Sequence, residues 1–120
     1  MGFVVDTDEM MVSQILDNLL SNAVRYTPAG GMVRIVFSQE GQRKRLLIEN
    51  FGVTVPDDIL PHILDPFVSS NTCGAHGLGL YIASYYAKKL DVLLEVRNGQ
   101  GSVAATLSFP VSSGLHQEFI

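Results

Sequence analysis

The sequence has few charges, a single cysteine and no long apolar run. The lone Cys73 excludes an internal disulfide and a cysteine metal site. Charged residues make up 17% of the chain and its net charge is −4, so Lys and Arg are too few to follow the phosphates of a nucleic acid. No apolar run approaches the roughly 20 residues of a membrane-spanning helix, and Met1-Gly2-Phe3 lacks the basic region of an export signal. We therefore expect a cytoplasmic domain that itself contacts neither nucleic acid nor membrane, in a parent protein that the cell membrane could anchor.

The sequence does contain enough apolar material for one folded domain. Hydrophobic residues account for 47% of the 120 positions, which favours a packed core over disorder. This length suits one domain and is too short for two. We expect residues 1–110 to form that domain and residues 111–120 to form a C-terminal tail. The Met1-Gly2 start resembles an added one, so we expect the natural protein to extend further upstream.

Residues 10–26 carry the clearest periodic pattern. Apolar side chains recur at intervals of three and four, which is typical of a helix that buries one broad face; they are Met11, Val12, Ile15, Leu16, Leu19, Leu20, Ala23 and Val24. Residues 6–8 supply acidic and capping side chains before this helix, and Pro28 with Gly30-Gly31 ends it. Because residues three and four apart are neighbours on a helix, a polar stripe also runs along it, formed by Gln14, Asn18, Asn22 and Arg25.

The remaining chain alternates between predicted strands and helices. Alternating Val, Ile and Phe residues with turn residues between them predict strands at residues 3–5, 32–38, 45–49, 93–96 and 103–109. Apolar spacing and a favourable proline predict further helices at residues 56–62 and 78–90. This order predicts an α+β fold, a two-layer α/β sandwich in which three helices cover one face of a mixed sheet of about five strands.

The glycine-rich segment Gly77-Leu78-Gly79-Leu80 opens the second long helix. Glycines expose backbone N–H groups, and a helix N-terminus carries partial positive charge, so this arrangement suits phosphate. A P-loop is excluded because no Gly-Lys-Ser/Thr occurs, and a dinucleotide fingerprint is disfavoured because no strand precedes the segment. Such glycines often serve only as turns, and helical asparagines are often only surface residues. Asn18 and Asn22 together with this segment nevertheless predict a nucleotide site, because their amides suit the surroundings of a hydrated Mg²⁺.

Three segments of the chain resemble the motifs of one known family, in the family's order. Residues 14–28 resemble the N box of the sensor histidine kinases, and Leu64-Asp65-Pro66-Phe67 resembles their F box. His76-Gly77-Leu78-Gly79-Leu80-Tyr81-Ile82-Ala83 is similar to their second glycine box. The resemblance covers nearly the whole chain. It implies the catalytic ATP-binding domain of a two-component histidine kinase, with the Bergerat fold that gyrase, Hsp90 and MutL proteins share.

The resemblance also implies roles for individual residues. Asn22 would be the Mg²⁺ ligand, and Asn18 would help to hold the phosphates of ATP. Arg25 would meet phosphate, and Tyr26 would pack on adenine. Residues 69–75 would form the ATP lid, which we expect to be mobile without nucleotide. Further ATP contacts are implied in the second glycine box for His76, Gly77, Leu78, Gly79 and Leu80.

The first glycine box departs from the family's Asp-x-Gly-x-Gly pattern. The matching run is Asn50-Phe51-Gly52-Val53-Thr54-Val55-Pro56, in which Asn50 stands in place of the aspartate that accepts a hydrogen bond from the adenine amino group. Thr54 replaces the second glycine, and Leu64 and Ala75 are departures in the other boxes. Asn50, Gly52 and Val55 are still expected to contact ATP. Base discrimination should be weaker, because an amide both donates and accepts.

No catalytic residue is expected within the chain itself. Its histidines, at positions 62, 76 and 116, lack the acidic neighbour and helical context of the family's phospho-acceptor. The resemblance therefore implies transfer to a histidine on an upstream dimerisation and phosphotransfer domain, and onward to a response regulator. Two alternatives stay open. One is a serine kinase of the anti-sigma-factor type, against which the F box and Arg25-Tyr26 argue, and the other is a binding module that does not turn over ATP.

Overall fold

The computed structural model describes residues 7–66 and 78–110. Two α-helices, one 3-10 helix and four strands follow one another along this part of the chain. Their bounds are α1 Glu9–Tyr26, β1 Val33–Glu40, β2 Arg43–Phe51, the 3-10 helix Leu60–His62, α2 Gly79–Lys89, β3 Leu93–Asn98 and β4 Ser102–Ser108. The strands form one sheet in the order β1-β2-β4-β3, and each neighbouring pair is antiparallel.

Helix α1 begins and ends at residues whose chemistry favours those positions. The carboxylate of Asp8 accepts a hydrogen bond from the Met11 N–H at 3.0 Å, which satisfies one of the free donors of the first turn. Thr27 is extended, as expected for a residue before proline, and its hydroxyl donates to the Ala23 carbonyl at 2.6 Å. Between these ends, Ile15, Leu19 and Ala23 are buried and face the core. The predicted periodicity of this helix is therefore confirmed.

The helices cover one face of the sheet. Leu46 and Ile48 of β2 point to that face and are 5% and 3% exposed. Each large side chain buried in this way contributes roughly 1.5–3 kcal/mol, an upper estimate for folding. The buried cluster joins both helices to three strands and to the segment after α2, and it consists of Ile15, Leu19, Ala23, Leu46, Ile48, Ala83, Ala87, Val92, Leu94, Leu107 and Phe109.

The predicted α+β class and the two-layer arrangement are confirmed, with differences in the number of elements. The described part of the sheet has four strands, all antiparallel, where about five in a mixed sheet were expected. The strand predicted at residues 3–5 lies outside the described residues. The helix predicted at 56–62 is reduced to the 3-10 helix Leu60–His62, because Pro61 has no N–H with which to continue an α-helical ladder. Neither helix in the described part is long and apolar enough to cross a membrane.

Candidate functional site

The polar stripe of α1 places two asparagines beside the core. Asn18 and Asn22 are half-buried, whereas Gln14 and Arg25 at the two ends of the stripe are exposed. The Asn18 side-chain nitrogen donates to the Gln14 carbonyl at 2.8 Å. Because a carbonyl can only accept, this bond fixes the orientation of the Asn18 amide and leaves its oxygen free to face away from α1.

The free oxygen of Asn18 meets the start of α2. A β-carbon added at Gly79 would lie 3.5 Å from Asn18 Oδ1. Gly79 is part of the helix and its backbone does not lie in the left-handed region, so glycine is not required there for its conformation. The absence of a side chain instead keeps space open between the α2 backbone and the amide of Asn18.

The first turn of α2 carries no capping side chain. Leu78 occupies the cap position, and its side chain offers no acceptor for the first backbone N–H groups. The same turn contains no acidic residue that would neutralise the positive end of the helix dipole. Leu80 is half-buried and packs against the buried cluster. This helix start is therefore suited to an anion.

At the other end of the site, Asn50 is a buried polar residue on an apolar face. It shares the helix-covered face of β2 with Leu46 and Ile48, and its partners across the sheet are Val33 and Val103. It is 8% exposed, and its amide forms no hydrogen bond with any other described residue. No fully buried side-chain nitrogen or oxygen in the described part lacks a partner, so this amide reaches a small opening. Both its donor and its acceptor are thus available to a ligand.

Gly52 ties the loop after β2 to two neighbouring segments. Its φ of +94° lies in the region that favours glycine, and its N–H donates to the Gly101 carbonyl at 2.8 Å. A β-carbon at Gly52 would lie 2.8 Å from the Pro28 ring. Gly52 is therefore required by backbone conformation and by close packing, and its N–H is already occupied by the protein.

The same loop is held again at Val55. The Val55 N–H donates to Asn98 Oδ1 at 2.9 Å, and Asn98 Nδ2 donates to the Val55 carbonyl at 2.8 Å. Val55 is 9% exposed, so its side chain belongs to the interior, and Asn98 engages both polar groups of its backbone. Its contact with ATP stays a prediction. The base-side loop, residues 50–56, thus rests on the turn between β3 and β4.

A charged cluster on the opposite face of the sheet supports that turn. The Glu49 carboxylate accepts hydrogen bonds from the Ser102 hydroxyl at 2.6 Å and from Arg34 at 2.7 Å. These bonds, Ser102 first, lower the pKa of the Glu49 carboxyl below its usual value. Gly99 lies so close to the Ser102 side chain that a β-carbon at Gly99 would be 2.5 Å from Ser102 Oγ. Glu49 is therefore a structural anion beneath the β3–β4 turn.

The structure brings the predicted site residues together in two groups. Asn18 lies beside Gly79 at the start of α2, and Asn50, Gly52 and Val55 share the base-side loop. Tyr26 lies eight positions after Asn18, which corresponds to about 12 Å along α1. Tyr26 is half-buried near the end of α1. The predicted contacts at His76 and Gly77, Phe67 of the F box and the lid at residues 69–75 lie outside the described residues.

The resemblance implies Mg²⁺, and the α1 stripe fits this ion through its amide oxygens. In residues 7–66 and 78–110, no three His, Cys, Asp or Glu side chains lie close enough to hold a metal ion. Asn18 and Asn22 offer neutral oxygens, which suit a hard cation that keeps several waters. Such a donor set fits a metal that arrives with anionic phosphates, and it does not fit a protein-only cage.

Sequence reasoning missed Asn98, the residue that holds the base-side loop. In the sequence, Asn98 followed by Gly99 is typical of a turn, and nothing local indicates a bond to Val55, 43 positions away. Ser102 and Pro28 were missed for the same reason, since their contacts with Glu49 and Gly52 also join distant segments. An alternating pattern could have placed Asn98 on the helix-facing side of β3, but not beside Val55.

Comparisons with known proteins show to which family the chain belongs. Residues 7–113 match the family model described as histidine kinase-, DNA gyrase B- and HSP90-like ATPase. The chain is 31% identical over 119 residues to the sensor protein VanSB of Enterococcus faecalis, an alignment that covers 95% of this chain and 27% of that protein. It is 31% identical over 113 residues to the sensor histidine kinase RppB of Synechocystis, covering 88% and 25%. The chain thus spans about a quarter of the length of these relatives.

A solved structure shows the same architecture. The nucleotide-free catalytic domain of the histidine kinase ThkA superposes with a TM-score of 0.79 at 26% identity, covering 89% of this chain and 70% of that one. The family match extends over most of the chain, including both helices and all four described strands. This chain therefore belongs to the histidine kinase-, DNA gyrase B- and HSP90-like ATPase family, as an ATP-binding domain of the sensor histidine kinase type.

Proposed function

We propose that this chain binds Mg-ATP between α1, the base-side loop and the start of α2, and donates the γ-phosphate to a histidine on a separate dimerisation domain. The observation that carries the proposal is the Asn50 amide, which is 8% exposed on an apolar sheet face and has no hydrogen-bond partner among the described residues. Because this amide reaches a small opening and no described residue occupies its hydrogen-bonding groups, it can both donate to and accept from a ligand. Adenine offers both a donor and an acceptor on one edge, and this matches an amide.

The start of α2 supports the phosphate end of the proposal. Its first turn has neither a capping side chain nor a nearby acid, and Gly79 leaves the backbone open towards the Asn18 oxygen. Backbone N–H groups at such a helix start suit the oxygens of a triphosphate. Arg25 is exposed at the far end of the α1 stripe and supplies a positive charge that can approach phosphate.

Phosphoryl transfer needs little covalent chemistry from this domain. The residues named above hold the nucleotide and orient its terminal phosphate, and the attacking imidazole comes from the acceptor domain. Asn22, with Asn18 one turn away, would hold Mg²⁺ through its amide oxygen, and the bound cation would offset the negative charge of the phosphates. Neither position carries a carboxylate that could activate water, which suits transfer to a histidine over hydrolysis.

The partners follow from the relatives and are part of the proposal. ThkA, the histidine kinase whose catalytic domain has a similar fold, has been solved in complex with the response regulator protein TrrA. We place the acceptor histidine on a domain outside this chain, which spans only about a quarter of the length of these relatives. We place the domain in the cytoplasm, where ATP is available. The relatives at 31% identity are sensor proteins, and none of the observations favours the serine-kinase alternative.

Calorimetric titration of the chain with ATP tests the proposal. We expect binding in the presence of Mg²⁺ and a marked loss of affinity when EDTA removes the cation. Asn50→Leu keeps the approximate size of the side chain and removes its polar edge, so it should abolish the preference for ATP over GTP. Thr54→Ala in the same loop is the matched control, because Thr54 is exposed. No measurable binding of Mg-ATP would refute nucleotide binding and with it the kinase assignment.

Incubation with γ-labelled ATP tests the placement of the acceptor. The chain alone should bind the label without acquiring acid-labile phosphate, since no acceptor histidine is expected within it. Acid-labile phosphate on the isolated chain would show that one of its own histidines accepts the phosphoryl group.

A further inference from the structure

We propose that Asn98, at the end of β3, is a positioning residue that sets base selection by holding the base-side loop in one register. The inference rests on the proposed nucleotide function, since it concerns how the same site recognises its base. Asn98 does not belong to any of the motifs that define the predicted site. Its side chain makes two hydrogen bonds to Val55.

The contact has the geometry of strand pairing without a strand. One side-chain amide accepts from the Val55 N–H at 2.9 Å and donates to the Val55 carbonyl at 2.8 Å. Residues in an antiparallel ladder exchange the same two bonds through their backbones. The base-side loop cannot extend such a ladder, because the next residue, Pro56, has no N–H. The Asn98 amide therefore replaces a missing strand partner.

The residue type at position 98 follows from this geometry. Only an amide side chain offers a donor and an acceptor side by side in one plane. An aspartate there would still accept from the Val55 N–H, but its second oxygen would face the Val55 carbonyl and repel it. An alanine would leave both polar groups of the Val55 backbone without this partner.

The hydrogen bonds between Asn98 and Val55 would affect the base through the few residues that connect Val55 to Asn50. Asn50 and Val55 are the two ends of the loop that Asn98 and β2 hold, and Gly52 between them is fixed by its bond to the Gly101 carbonyl. Gly101 and Asn98 flank the same β3–β4 turn. Displacing Val55 therefore loosens the chain that follows Asn50, whereas no hydrogen bond among the described residues joins Val55 to the start of α2.

The test compares Asn98→Asp and Asn98→Ala with the parent chain, and Arg97→Ala is the matched control. Arg97 precedes Asn98 on the same strand, is exposed, and pairs only with Glu95 among the described residues. For each chain we would measure the affinities for ATP, GTP and inorganic tripolyphosphate with Mg²⁺, together with hydrogen exchange of the Val55 amide without nucleotide. Both Asn98 variants should weaken the affinity for ATP about five- to tenfold, because one or two hydrogen bonds to Val55 are lost.

The ATP-to-GTP affinity ratio distinguishes a positioning role of Asn98 from a general effect on the stability of the fold. Tripolyphosphate affinity should stay within about twofold of the parent value in both Asn98 variants, and the ATP-to-GTP affinity ratio should fall. Val55 should exchange at least about tenfold faster in Asn98→Ala, whereas Asn98→Asp should retain part of the protection. Arg97→Ala should change none of these quantities.

Other outcomes overturn the inference in distinguishable ways. If the affinities for ATP and tripolyphosphate fell equally and the ATP-to-GTP affinity ratio were unchanged, Asn98 would be a purely structural residue. An unchanged ATP affinity with faster Val55 exchange would show that the loop register does not reach the base. If the parent chain itself binds no ATP, the proposed function fails, and Val55 exchange still decides whether Asn98 holds the loop.

Discussion

The two ends of the candidate site are built in opposite ways. The base-side loop is held by side-chain and backbone hydrogen bonds from the β3–β4 turn, through Val55 and Gly52. The start of α2 has no capping side chain, and it approaches Asn18 through a glycine. One end is fixed by contacts between distant segments, and the other, among the described residues, presents backbone N–H groups that no side chain caps.

This difference matches what each end must recognise. A planar base is distinguished by the direction of its hydrogen bonds, so the residue that reads it has to be held in place. Phosphate oxygens are alike in all nucleotides, and backbone donors at a helix start bind them without selecting a base. Under the proposed function, Asn50 and its supports would provide base selectivity, whereas Gly79 and the asparagines of α1 would bind the charged phosphates and their cation.

The largest expected effect is at the charge-recognition end. Asn22→Ala should weaken Mg²⁺-dependent ATP binding by about 100-fold or more, because even residues that only support metal ligands cost about 10- to 100-fold. Asn22 is half-buried on the polar stripe, so its truncation should leave the fold intact. Calorimetry with Mg²⁺ measures the loss, and Ser21→Ala, an exposed neighbour on α1, is the control. Unchanged affinity with a normal circular dichroism spectrum would contradict the metal assignment.

A smaller loss is expected from closing the space at the start of α2. Gly79→Ala would place a methyl group 3.5 Å from Asn18 Oδ1, an ordinary contact that the fold tolerates. Alanine also favours helix more than glycine does. We therefore expect unchanged or slightly higher thermal stability together with about tenfold weaker ATP binding, since a methyl group fills the approach to the backbone. Loss of stability in parallel with loss of binding would show that Gly79 serves packing instead.

The substitution Asn50→Asp addresses the selective end. A carboxylate accepts charge-assisted bonds, worth roughly 1.5–3 kcal/mol against about 0.5–1.5 kcal/mol for neutral ones, so ATP should bind about fivefold more tightly. The ATP-over-GTP preference should widen, because a carboxylate repels the guanine carbonyl. Since the position is 8% exposed between valines, the nucleotide-free variant should also melt at a lower temperature. Weaker ATP binding would mean that the amide donor of Asn50 is essential or that Asn50 does not face the base.

The smallest effect concerns the support of the selective end and its response to pH. Hydrogen bonds from Ser102 and Arg34 lower the folded-state pKa of Glu49 below its unfolded value. The resulting stability is present above the unfolded pKa and is lost as the pH falls through the folded one. It should amount to less than about 1 kcal/mol, because Arg34 is largely exposed.

Chemical denaturation of the parent chain and of Ser102→Ala at pH 7 and in the acid range measures this contribution. Ser102→Ala removes the larger cause of the lowered pKa and should flatten the decline of stability towards acid. Arg43→Ala, at the exposed start of β2, should leave the slope unchanged. An equal slope in parent and Ser102→Ala chains would show that the Glu49 cluster does not hold the β3–β4 turn in solution.

Local patterns were sufficient for much of the fold. The helix predicted at residues 10–26 is α1 within one residue, and the predicted hairpin strands are present with bounds that differ by at most two residues. These elements follow from spacing between near neighbours, which a sequence displays directly. The prediction at 56–62 was too long because the effect of Pro61 on the helical ladder was overlooked.

The sequence by itself determined which residue types the site would contain: amides on one stripe of a helix, a glycine at a helix start and an asparagine in the first glycine box. Only the tertiary structure decided how they are supported. The strand order β1-β2-β4-β3 brings the turn after β3 next to the loop after β2, and so joins Asn98 to Val55 across 43 positions. Hydrogen bonds between distant segments depend on sheet order and register, and no local period of the sequence encodes either.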